Sequence, residues 1–446
     1  MPVTMKKIIF KIRLIAVKAM LKTSLYLNWP WLGALALWLA ANKVNQGKGR
    51  YEYTVLCLGR TIFSDDVAAM AGSGRRVKYV SVHRSYFCQI FNYLAGDWEK
   101  EKLSEENYHV NNFCQAGKER YYLYLKKLFP YWHKLLRFNA VFSGNFVYVE
   151  HQELMRVCEE NKVPFVVLFK EGIAATASGA YDKWLDMCRG CVFIGAKVLF
   201  YGDKVRKSLL SINLPGLTEA KSEVVGAPRL DAYFSDLDLK NRQLKKQIIL
   251  FSFYSENFYN LTGDLETIKQ ARKRCDDFHV WFMNFAKRYK DYTVIIKTKF
   301  PKHYLSYVKN IYEKVFQDEE NRPANLAIIN LGNSAQLIKD SIAVAGFYST
   351  TLTEAIVAGK ISLSPFFGDI ITDKPWDYFA MYPELINYVK SESDLEEYVM
   401  NYEKYLAYSQ ERREKFLRQL IHIPDGQASF RAESAIIEAV EEYRKN

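Results

Sequence analysis

Short runs of β-branched and aromatic residues alternate with stretches of helical periodicity along most of this 446-residue chain, which restricts it to an α/β architecture of parallel sheets covered on both faces. One series comprises Tyr53 to Leu58, Val77 to Val82, Ala140 to Ser143, Pro164 to Phe169, Val192 to Ile194, Lys197 to Tyr201 and Glu223 to Val225. After a polar stretch from Ser235 to Lys246 comes a second: Gln247 to Phe253, Tyr292 to Lys297, Leu326 to Asn330, Ile342 to Ala345 and Ile361 to Ser364. Two such series imply two Rossmann-like domains facing a cleft. The expected layout is a basic segment at 1–50, domains at 51–234 and 235–390, and charged amphipathic helices at 391–446. The hydrophobic share of 49%, with 22 Gly and 12 Pro, excludes a disordered or fibrous chain.

Charge is uneven. Nine of the twelve net positive charges fall before Tyr51, a stretch with no acidic residue, so its partner is expected to be anionic. Ile8, Phe10, Ile12 and Ile15 lie among the lysines as in a helix that buries one face and lets lysine stems snorkel. Leu25 to Ala41 is apolar and carries Trp29, Trp31 and Trp38, but Asn28 and Pro30 interrupt it. It also falls short of the roughly 20 residues that span a bilayer. An interfacial membrane-associating helical segment is the favoured reading. A span, a cleaved signal peptide and packing on the protein's own core are the alternatives. Tyr121 to Arg137 is also basic and aromatic, and reads either as a membrane or acceptor surface or as a helix with a buried aromatic stripe. No nucleic-acid motif accompanies these stretches. The seven scattered cysteines read as reduced thiols, and Cys188 with Cys191 lacks the other ligands of a structural zinc site.

In doubly wound domains ligands sit where strands end. Ser349, Thr350 and Thr351 follow the run at Ile342 to Ala345 and open a helix that Gly359 closes, so their hydroxyls and backbone N–H groups suit phosphate. Glu354, one turn in, could accept from ribose hydroxyls. A plain capped helix explains the same residues equally well. Lys297 and Lys299 alternate at another strand end and share a face. In the first domain Glu171 follows a buried strand beside Lys170, with Gly172 and the small residues of Ala174 to Gly179 after it. It is the first candidate for a reactive group in this domain, against the alternative of a strand-end salt bridge. Asp66, Asp203 and His151 are reserves. Asp236 and Asp238 match a metal-binding DxD superficially, but read as a solvated turn.

Three segments carry a resemblance. Val224-Val-Gly-Ala-Pro-Arg-Leu-Asp231 looks like the GxPRxD segment that ends the N-terminal domain of several GT-B enzymes. Ile295-Ile-Lys-Thr-Lys-Phe-Pro301 is similar to their IKxHP strand end, with Phe300 in place of histidine. Tyr348-Ser-Thr-Thr-Leu-Thr-Glu-Ala-Ile356 is similar to their SSxxxEA donor motif. In order, over about residues 53 to 390, these resemble the metal-independent transferases of bacterial surface polysaccharides, including capsule Kdo transferases and CDP-glycerol glycerophosphotransferases.

The resemblance implies a GT-B fold that moves a sugar from a nucleotide-activated donor, such as CMP-Kdo, to an envelope glycan or glycolipid. It implies no cofactor, no metal and no nucleic-acid partner, and a place on the cytoplasmic face of the inner membrane, peripheral or monotopic. Lys297, Lys299, Ser349 to Thr351 and Glu354 would bind the donor. Glu171 would act as base, with Lys170, Gly172 and Arg229 at the acceptor or domain junction. The rivals are a nucleotide-sugar 2-epimerase of the same fold and a non-catalytic membrane-bound glycan-binding scaffold. No Walker sequence, HExxH or dinucleotide GxGxxG supports another class.

Overall fold

The computed structural model describes residues 3–45, 50–74, 76–96, 102–110, 112–171, 185–186, 188–234, 245–255, 264–347, 349–371, 379, 382–406 and 410–445. The chain forms two compact units, Met1–Gly172 with Asp182–Asp231 and Gln419–Asn446, and Ile173–Tyr181 with Ala232–Arg418. Gly172, the small-residue run at 174–179, the linker aspartates Asp236 and Asp238, and Tyr348 lie outside the described residues.

The first unit runs α1 (Val3–Tyr26), α2 (Pro30–Ala40), β1 (Asn42–Lys43), β2 (Tyr53–Gly59), α3 (Thr61–Ser73), β3 (Val77–His83), α4 (Ser85–Ala95), α5 (Gln115–Leu136), β4 (Ala140–Ser143), α6 (Val149–Glu160), β5 (Phe165–Phe169), β6 (Lys197–Phe200), α7 (Asp203–Ser211) and β7 (Ser222–Val224). Its sheet has the order β1-β3-β2-β4-β5-β6-β7 and is parallel except where the two-residue β1 meets β3. Helices cover both faces of a parallel sheet, so its strands read as continuous apolar runs. Val55, Leu56 and Cys57 of β2 are all fully buried.

The second unit contains β8 (Gln247–Phe251), α8 (Leu265–Arg288), β9 (Thr293–Lys297), α9 (Lys302–Val315), β10 (Leu326–Ile329), α10 (Ser334–Asp340), β11 (Ala343–Gly346), α11 (Thr350–Val357), β12 (Ile361–Pro365), β13 (Asn387–Val389) and α12 (Glu392–Met400). Its sheet, β10-β9-β8-β11-β12-β13, is parallel throughout. Strand order reverses at β2/β4 in one sheet and at β8/β11 in the other. There the segments leaving the strands part company and open a crevice at the carboxyl edge.

The pattern over Val192 to Ile194 does not become a strand. Phe193 N–H donates to Pro215 O at 2.8 Å and Ala196 N–H to Phe165 O at 2.9 Å, so this backbone ties a loop to the sheet. β1 and β13 are too short for alternation to announce them.

The basic segment is built into the first unit. Asn28 turns the chain in the left-handed region (φ 51°), Pro30 opens α2, and α2 packs on α1 and on α5, with Gly33 against Tyr124 and Leu128. A Cβ on Gly33 would come within 2.9 Å of Ser24 Oγ, which itself bonds Tyr124 Oη at 2.6 Å, so the close helix approach requires glycine. No helix among the described residues is long and apolar enough to cross a membrane. Tyr121, Tyr124, Phe129 and Trp132 form a buried stripe on α5, which assigns that stretch to the core.

Toward the C-terminus, after a short helical turn at Tyr402–Leu406, lie α13 (Gln410–Ile421) and α14 (Ala428–Lys445). The first unit is completed by α14. Asp231, at the end of the GxPRxD segment, accepts the N–H groups of Ala428 at 3.0 Å and Ser429 at 2.7 Å, two donors that a helix start leaves without an internal partner. Asp231→Ala is expected to cost about 0.5–2 kcal/mol, the usual loss of an N-cap, measured as a lower denaturant midpoint with unchanged slope.

Candidate functional site

In the second unit a cavity of about 400 Å³ opens at the carboxyl ends of β8, β9 and β11, where strand order reverses. Lys297, Lys299, Ser349, Thr350 and Thr351 all line it, although some 50 residues separate the lysines from the hydroxyls. The backbone continues the sheet past the strand ends and fixes this edge. Ser252 N–H donates to Lys297 O and Thr298 N–H to Ile329 O, both at 2.8 Å. Burial holds the Lys297 ammonium below its usual pKa. Lys299 lies 5.8 Å from the Phe253 ring centre and 5.6 Å from that of Tyr304. Ser349 caps α11, its Oγ accepting from Thr351 N–H at 3.3 Å and bonding Thr351 Oγ1 at 2.9 Å. Two ammonium groups and a hydroxyl-rich helix start thus meet on one wall.

Sequence reasoning passed over the floor of this cavity. His279 of α8 is fully buried, stacks on Phe347 and bonds Cys275 O through Nδ1 at 2.7 Å. A carbonyl only accepts, so Nδ1 carries the proton and Nε2 is the acceptor. Ser252, which lines the cavity, therefore donates its hydroxyl to Nε2, 2.8 Å away. Burial pushes the His279 pKa down to about 4 and keeps the ring neutral. Glu354 does not line the cavity. Its Oε2 accepts from Tyr233 Oη at 2.9 Å.

In the first unit a second constellation stands at the carboxyl edge. Glu171 follows β5, with its side chain 36% exposed; it pairs with Lys170 and accepts from Asn145 Nδ2 at 3.4 Å. Arg60 follows β2 and bonds the Tyr148 hydroxyl. Arg84 follows β3, lies 3.4 Å from the centre of the Tyr148 ring and grips the buried Glu150 with both arms of its guanidinium. Burial opposes ionisation of Glu150, but His151 and Arg84 outweigh it and hold the carboxyl below its usual range. Glu105 answers to the same charges. Burial pushes its pKa up against the pull of Arg84, and Glu150 and Glu171 add to the push. The strand-end rule that singled out Glu171 applies equally to Arg60 and Arg84, whereas nothing in the sequence ties Glu105 to them.

The reserve candidates take other parts. Asp66 is fully buried, accepts from the Tyr201 hydroxyl and from Arg229 N–H at 3.1 Å, and pairs with the Arg229 guanidinium at 3.4 Å. Burial raises its pKa, with Arg229 opposing. The pair fastens the GxPRxD segment to α3 and leaves Asp66 unreachable by substrate. Asp203 heads α7 at the surface, bound to Lys207 and Arg206, which hold its pKa low. His151 is buried; Nδ1 donates to Asn145 O at 3.2 Å, and Nε2 has no hydrogen-bond partner. Burial lowers its pKa to about 4 against the pull of Glu150. Cys188 and Cys191 are buried free thiols. Among the described residues no three His, Cys, Asp or Glu side chains are grouped to hold a metal ion.

No protein-family model matches the sequence, and no curated protein matches it. Solved structures do resemble it. The wall teichoic acid polymerase TagF is 12% identical, with 98% of this chain and 100% of that chain covered and a TM-score of 0.50. A UDP-GlcNAc 2-epimerase from Neisseria meningitidis is 14% identical over 86% of this chain and 100% of that one, with a TM-score of 0.46. A trehalose 6-phosphate synthase from Burkholderia multivorans is 10% identical over 89% and 99%, with a TM-score of 0.40. At such identities the likeness is one of fold. The two parallel-sheet α/β units are of GT-B-like type, as the TagF comparison supports.

Proposed function

We propose that the protein is a metal-independent glycosyltransferase, which binds a nucleotide-activated sugar in the second unit and an envelope glycan or glycolipid acceptor in the first. The observation that carries this reading is the convergence of Lys297, Lys299 and Ser349 to Thr351 on one cavity at a strand-order reversal. The lysines and the helix start would stabilise the departing nucleotide phosphate electrostatically, and Phe253 and Phe347 offer apolar wall for the rest of the nucleotide. Because Glu354 is held by Tyr233, the donor set proposed here is Lys297, Lys299 and Ser349 to Thr351. Glu171 would take the proton of the attacking acceptor hydroxyl, with Lys170 and the Arg60–Arg84 pair placing acceptor oxygens.

Calorimetric titration with CMP, CDP, UDP and GDP tests the donor half. One nucleotide should bind in EDTA, and Lys299→Ala should weaken it by between one and two powers of ten, as a lost charge-assisted bond of roughly 1.5–3 kcal/mol requires. Unchanged affinity in both Lys297→Ala and Lys299→Ala would overturn the assignment.

We also propose that the first unit rests on an anionic bilayer surface. Ile12 and Ile15 are 61% and 68% exposed on α1 beside the exposed Lys11, Lys18 and Lys22, and Trp29, Trp31 and Trp38 are also exposed. Each basic residue near such a surface contributes about 1 kcal/mol, screened by salt. Deleting the segment would strip α2 from α5, so point changes are the better test. Flotation with phosphatidylglycerol vesicles should weaken with salt and be lost in the double variant Ile12→Glu/Ile15→Glu, and retained flotation in that variant would refute the contact.

A further inference from the structure

A second cavity, of about 420 Å³, lies wholly within the first unit and is lined from α1, the end of α2, the end of β3 and the start of α4. Leu14, Val17, Ala40 and Tyr86 give it apolar walls, and no carboxylate among the described residues lines it. Among the described residues, the guanidinium of Arg13, which faces it, bonds neutral oxygens: Leu39 O, Ala41 O at 2.7 Å and Asn42 Oδ1 at 3.1 Å. These acceptors satisfy its N–H groups and leave its charge uncancelled. Lys18 adds a second cation from the exposed side of α1. His83 does not supply a third, because burial and Arg84 lower its pKa. The site therefore offers apolar wall and net positive charge together.

Two features give it a direction. On α1 the lining residues Leu14 and Lys18 adjoin the exposed Ile15, the surface proposed to face the bilayer. At the other end the lining residue His83 is followed by Arg84, whose N–H donates to Gly59 O at 2.9 Å at the edge of the sheet and whose guanidinium holds Glu150. The cavity thus lies between the exposed face of α1 and the residue that precedes Arg84, a member of the carboxyl-edge constellation.

We propose that this cavity seats the acceptor, and that the acceptor is a single-chain amphiphile with a phosphate head. Its chain leaves along Ile12 and Ile15, its phosphate lies against Arg13 and Lys18, and its distal hydroxyl-bearing part reaches Arg84 and Glu171. The acceptor role rests on the glycosyltransferase reading; the amphiphile site itself does not. A cavity of this volume suits the head and first methylenes of such a molecule, and the charge selects an anion over a neutral glycolipid.

The test is calorimetric titration of the full chain with octyl phosphate below its micelle concentration, beside octyl glucoside and inorganic phosphate. Octyl phosphate should bind saturably at one site and at least tenfold more tightly than either control. Gln89→Trp fills the cavity from an exposed position on α4 and should weaken binding at least tenfold, as should Lys18→Glu, while Gln89→Ala keeps the cavity open and uncharged as a control for the substitution itself. Inorganic phosphate binding as tightly as octyl phosphate would mean a bare anion site and overturn the proposal. So would octyl phosphate affinity that neither Gln89→Trp nor Lys18→Glu changes. Nucleotide affinity, read on the same samples, reports on the other unit: its absence in the wild type would sink the transfer reading, while cavity-dependent octyl phosphate binding would still establish the amphiphile site.

Discussion

Glu171→Gln should lower glycosyl transfer by about 10²–10⁴-fold, the usual effect of removing a general base, while nucleotide affinity stays within twofold of wild type. The asymmetry follows from placement. Glu171 stands at the carboxyl edge of the first sheet, and the cavity proposed for the nucleotide belongs wholly to the second unit. Its side chain is 36% exposed beside the paired Lys170, so substrate can reach it. Glutamine keeps the shape and the acceptance from Asn145 but cannot take the proton. Single-turnover kinetics with saturating donor separates the chemical step from binding. Wild-type turnover would make Glu171 a structural partner of Lys170 and move the search to Glu105, whose raised pKa also suits proton transfer.

Stability should fall as pH drops from 6.5 toward 4, by roughly 3 kcal/mol for each of two histidines. His151 and His279 are fully buried, and both pKa values are depressed to about 4. An unfolded histidine takes its proton near pH 6.5. Below that the unfolded chain binds more protons than the folded one, so the stabilisation present above pH 6.5 is progressively lost as pH falls through the folded values. One residue lies in each unit, so each should weaken by about 1.4 kcal/mol per pH unit within this window. Urea titrations between pH 7.5 and 5 check the slope, and His279→Gln should flatten it for the second unit only. An equally steep slope in that variant would assign the acid sensitivity to the carboxylates.

Much of the fold was legible because buried parallel strands need apolar residues on both faces, which makes Tyr53 to Leu58 or Tyr292 to Lys297 visible as short blocks. Val192 to Ile194 has the same composition, yet its N–H groups serve a loop, and nothing in three residues reveals where a backbone bond will go. The wall that Lys297, Lys299 and Ser349 to Thr351 share could be read because each half follows a strand directly. Ser252 and His279 could not, since their coupling joins the end of β8 to the middle of α8 and depends on a tautomer fixed by Cys275 O. Arg229 and Asp231 were legible as a motif but not as fasteners. Their partners Asp66 and Ala428 lie far away in the chain and meet them only in three dimensions.

The capping of α14 by Asp231 also bears on biosynthesis. A ribosome that has released residue 231 must add about 200 more residues before the helix at 428–445 emerges, roughly 10 to 40 s at ordinary elongation rates. Throughout that interval the nascent first unit exposes the apolar seat that Ile436 and Val440 later cover. The first half of the chain is thus synthesised early and finished late. A message truncated between these points would yield a polypeptide dependent on holdase chaperones, even though every strand of its first sheet had been made.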